Sequence, residues 1–70
     1  MNTTPVVAEP RHHLAARLRR CVTDAEWSLR QVMGLYEAAT TDADRARWLH
    51  VADAERRAIA RAQAELFAHR

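Results

Sequence analysis

Residues 40–44 read TTDAD, and this short polar stretch decides the fold because it separates two long helical patterns. Thr41 and Asp42 are residue types that cap the N-terminus of a helix. Asp44 would lie in the first turn, where a carboxylate interacts favourably with the helix dipole. No proline follows residue 10. The stretch therefore predicts one turn near residues 40–43 and a second helix that runs from it to the C-terminus.

Apolar residues recur on both sides of this turn at alternating spacings of three and four, which is the signature of a helix. Before the turn they predict a helix from Pro10 to about Ala39, and proline suits the first helical position because its missing N–H has no partner there. The two stripes comprise Leu14, Leu18, Cys21, Val22, Ala25, Leu29, Val32, Leu35 and Tyr36, then Trp48, Val51, Ala52, Glu55, Ile59, Ala62 and Leu66. They predict an all-α antiparallel two-helix hairpin over residues 10–70, preceded by a flexible lead-in, residues 1–9.

An alternative division of the first helix comes from the stretch VTDAEW, residues 22–27. Thr23 and Glu26 have the spacing of a capping box, which would start a new helix and give a three-helix bundle with a break near Thr23. The apolar stripe keeps its phase through Val22 and Ala25, and a break would usually disturb that phase. The continuous helix is therefore the favoured interpretation.

The size of the chain predicts that it associates with itself. A domain of 70 residues buries only a modest fraction of its surface and commonly needs a disulfide, a metal or a second copy. Cys21 is the only cysteine, and its place in the first stripe predicts a buried thiol with no catalytic role. The second helix carries a further, weaker apolar face with Leu49, Ala60, Ala64 and Phe67. We therefore expect a homodimer in which two hairpins form a four-helix bundle.

Composition excludes several classes of protein. The longest apolar runs are far shorter than the roughly 20 residues of a membrane-spanning helix, and the first ten residues lack the basic and apolar regions of a secretion signal. A single cysteine fits a reducing compartment, so we expect a cytoplasmic protein. All 11 basic residues are arginine and alanine is abundant, which indicates a GC-rich bacterial genome. The net charge is only +2.

Trp27 is the best candidate for binding a partner protein because it lies almost opposite the first apolar stripe. Gly34 shares that side, and a glycine inside a helix costs about 1 kcal/mol relative to alanine unless something approaches the backbone closely. Arg20 and Arg30 flank Trp27, and Phe67 adds an apolar contact from the second helix. A tryptophan beside arginines is typical of interface hot spots. These residues predict a small non-enzymatic adaptor or regulatory protein with an unidentified protein partner.

The absence of recognisable catalytic patterns supports a non-enzyme. The chain has no glycine-rich phosphate loop, and a two-helix hairpin provides no Ser/His/Asp or Cys/His/Asn arrangement. No cofactor and no metal ligands are predicted. A metal-binding helical bundle remains the third hypothesis, because His50 and Asp53 are three residues apart and Glu9 and His12 share that spacing.

An alternative function follows from RHHLAARLRR, residues 11–20. Its four arginines produce a strong local field, which would suit a dimeric RNA- or DNA-binding bundle. On a helix, however, they spread around the cylinder instead of forming one stripe. The candidate nucleic-acid contacts are Arg11, Arg17, Arg19 and Arg20.

Glu55 is the one acidic residue in the centre of the second stripe. A carboxylate there is costly to bury without partners, and the register set by the turn places it roughly opposite Ser28. The two residues predict a buried polar layer that fixes the register of the helices, as a polar core residue does in a coiled coil. The alternatives are a side chain that reaches the rim of the core, or a metal or catalytic role.

Overall fold

The computed structural model describes residues 11–68, and side chains from residue 13 onward. These residues form two α-helices, α1 (Arg11–Ala38) and α2 (Asp42–Ala68), and include no strand. At 1.5 Å per residue each helix is about 40 Å long, and the two pack against each other. The predicted all-α helical hairpin is therefore confirmed. The predicted lead-in, residues 1–9, and the expected helix start at Pro10 lie outside the described residues.

Helix α1 continues through Thr23 without a break. The Thr23 hydroxyl donates a hydrogen bond to the carbonyl oxygen of Arg19, at 3.1 Å. This is a bond to the preceding turn of the same helix, which threonine makes when it lies in a helix interior. The three-helix alternative is therefore wrong, because the hydroxyl that would have capped a new helix is used within α1.

The connection between the helices is short and closed by hydrogen bonds. The Thr41 hydroxyl accepts a bond from the Asp44 N–H at 3.1 Å, so Thr41 is the N-cap of α2. The Arg45 guanidinium donates to the Ala39 carbonyl at 3.1 Å and to the Asp42 carboxylate at 2.7 Å. No described residue other than glycine has a positive φ, and Gly34 does not either. The predicted turn is confirmed, and it needs no glycine.

The helices meet along a seam with heptad spacing, at alternating intervals of four and three residues. The seam contains Ala15, Leu18, Val22, Ala25, Leu29, Val32 and Tyr36 of α1, Ala39 just after it, and Arg45, Trp48, Ala52, Glu55, Ile59, Ala62 and Leu66 of α2. Among the described residues only Leu18, Val32, Ala52 and Ala62 are buried. The hairpin is thus a single layer of two helices with a thin line of buried contact.

Three members of the predicted α1 stripe, Leu14, Cys21 and Leu35, lie outside this seam. Leu14 is half-buried, Cys21 is exposed, and 46% of Leu35 is accessible to solvent. Each lies one position before a seam residue, and one neighbouring helix does not fully cover that edge. The prediction of a buried Cys21 thiol is therefore wrong for the single hairpin.

Candidate interaction surfaces

The first candidate surface, which we call the Trp27 surface, consists of Arg20, Trp27, Arg30 and Gly34. Arg20, Trp27 and Gly34 follow one another at seven-residue intervals and therefore lie on one side of α1. That side faces away from α2, and 58% of Trp27 is accessible to solvent. Arg20, Arg30 and Gly34 are also exposed. Partner binding by these residues stays a prediction.

Gly34 has no packing role within the hairpin. A Cβ atom added to it would meet nothing within 4 Å. The residue lies in the interior of α1, where glycine is unfavourable relative to alanine by about 1 kcal/mol. The contacts of the single chain therefore give no reason for a glycine beside Trp27.

Phe67 does not belong to the Trp27 surface. It is 69% exposed and lies one residue before the end of α2, whereas Trp27 lies near the middle of α1 on the side away from α2. Leu49, also on α2, is 40% exposed. The predicted partner-binding residues are thus divided between the two helices.

Glu55 and Ser28 are both half-buried. No polar or charged side chain is buried among the residues that the structure describes. The burial predicted for these two residues is therefore not found in the single hairpin, because only a thin seam is shielded from water. Their role in fixing the register stays a prediction.

The arginines of residues 11–20 do not form one patch. Arg17, Arg19 and Arg20 are exposed. Arg17 and Arg20 are three residues apart and share a flank of α1, whereas Arg19 points to another side. The side chain of Arg11 lies outside the described residues. Within residues 11–68 no group of three or more His, Cys, Asp or Glu side chains is arranged to hold a metal ion. Neither helix has a stretch long and apolar enough to cross a membrane.

Two further surfaces flank the seam, one on each side of the two-helix layer. The sequence pattern alone does not distinguish these two surfaces. The contact of Arg56 Nη2 with Met33 Sδ, at 3.9 Å, shows which flanks of α1 and α2 share a side. This side, the Arg56 face, comprises Arg19, Glu26, Met33, Leu49, Arg56 and Gln63. The opposite side, the Leu14 face, comprises Leu14, Cys21, Ser28 and Leu35 of α1 and Val51 and Ala58 of α2.

The two faces differ in charge. On the Arg56 face, the Arg56 guanidinium also bonds the Asp53 carboxylate at 3.2 Å, so a charged group lies across the groove between the helices. The Leu14 face is uncharged along its centre, and the acids Asp44 and Glu65 lie at its two ends on α2. The recurrence of Leu14, Cys21, Ser28 and Leu35 every seven residues is the sequence signal of this face.

Comparison with known proteins gives no relative for this arrangement: no family model, no curated protein and no solved structure matches the chain.

Proposed function

We propose that the protein is a small non-enzymatic adaptor or regulator of the cytoplasm that acts by binding other proteins, and that it works as a homodimer. The observation that carries this proposal is the single-layer hairpin, in which four side chains are buried among the residues that the structure describes. Stable domains are built from at least two packed layers. A second hairpin would supply the missing layer and produce a four-helix bundle.

The exposed Trp27 supports a further protein partner. A tryptophan that the seam does not need is a large amphipathic side chain left in water, and such residues are enriched at the centres of interfaces. The unexplained Gly34 would let a partner approach the α1 backbone closely. Arg20 and Arg30 would favour an acidic rim on that partner.

A non-enzymatic role fits the same architecture. Substrate sites are concave and enclosed by surrounding elements. The two helices of one hairpin do not enclose such a site, so a substrate would have to bind between the two copies. The nucleic-acid alternative has less support, because only Arg17 and Arg20 share a flank of α1, and Arg19 points to another side. A steep fall of nucleic-acid affinity with salt would revive it.

The dimer is tested by sedimentation of the untagged protein across a range of concentrations. We expect twice the chain mass at micromolar concentration. A monomeric, folded protein at all concentrations would contradict the dimer.

The Trp27 surface is tested by comparing the Trp27→Ala and Leu49→Ala variants in affinity capture from the native host. Both residues are exposed, so both variants should keep the helical circular dichroism of the parent. A specific partner should be retained by Leu49→Ala and should bind Trp27→Ala more weakly by over about 1 kcal/mol, or roughly fivefold. Loss of helicity in Trp27→Ala would show that this residue supports the fold and would contradict the proposal.

A further inference from the structure

We draw no further inference here: the strongest candidate, the Leu14 face on one side of the two-helix layer, is an unpartnered apolar surface, and nothing in the structure shows what covers it.

Discussion

The turn half of the hairpin, residues 25–55, and its open half, residues 11–24 with 56–68, share one heptad seam but are closed in different ways. In the turn half the chain itself joins the helices. The Thr41 N-cap and the hydrogen bond from Arg45 to the Ala39 carbonyl hold this connection in place. Ala52, in this half, is completely buried. In the open half no connection joins the helices, and Ala62 remains 9% exposed. The halves therefore differ at their buried alanines, whereas Leu18 in the open half and Val32 in the turn half are buried alike, at 7% and 8% exposure.

The largest effect is expected from enlarging the alanine of the turn half. Ala52→Leu forces extra volume into a site with no free surface, and we expect a loss of roughly 1–3 kcal/mol in the free energy of unfolding. Ala62→Leu should cost less, because Ala62 is partly exposed and the helix ends there can separate. Urea denaturation at one fixed protein concentration measures both variants. Equal losses would show that the two halves are packed equally tightly.

Removal of the helix cap tests the connection itself. Thr41→Ala should lower the free energy of unfolding by about 1 kcal/mol, because the N–H of Asp44 loses its acceptor. Thr40→Ala is the matched control, since Thr40 is exposed and precedes the cap by one residue. Thermal denaturation of both variants measures the two losses of stability. A larger loss in Thr40→Ala than in Thr41→Ala would contradict the assignment of Thr41 as the N-cap.

The hairpin was predictable from the sequence because its signals are local. The caps in TTDAD and the spacing of the apolar residues are properties of one helix and one turn, and the position of Trp27 off the seam follows from the same periodicity. The exposure of Cys21 and Leu35 was not predictable in this way. Three apolar positions in each heptad give the same sequence pattern whether one neighbouring helix covers them or two.

The division into two faces also needed the structure. Which flank of α1 shares a side with which flank of α2 depends on how the two helices are rotated against each other. The Arg56–Met33 contact resolves this pairing, and no local sequence signal marks it. For the same reason the sequence did not predict that a single hairpin leaves Glu55 and Ser28 half-buried, because it does not state how many neighbours surround the seam.

A stabilising change is expected at Gly34, also in the turn half. Gly34→Ala removes the conformational freedom of glycine in the unfolded chain, and its new Cβ meets nothing within 4 Å. We expect a gain of about 0.5–1 kcal/mol in the free energy of unfolding, visible as a higher melting temperature. If Gly34 permits close approach of a partner, the same variant should also bind that partner more weakly. A loss of stability would indicate that the α1 backbone is approached by the second copy at this point.

The smallest effect is expected where the two halves meet, at the ion pair between Asp53 and Arg56. Its atoms are 3.2 Å apart, but both side chains are about half exposed. Such an ion pair contributes little to the free energy of unfolding, because water and salt screen the two charges and two mobile side chains must be ordered to form it. Asp53→Asn should therefore cost no more than a few tenths of a kcal/mol at low salt.

The control is Asp24→Asn, an exposed acid of α1 without an ion-pair partner among the described residues. At about 0.5 M salt the Debye length is shorter than at physiological ionic strength, so exposed charges are more strongly screened. The two variants should then have the same free energy of unfolding. A persistent cost for Asp53→Asn would mean that the Arg56 face is shielded from solvent in the assembled protein.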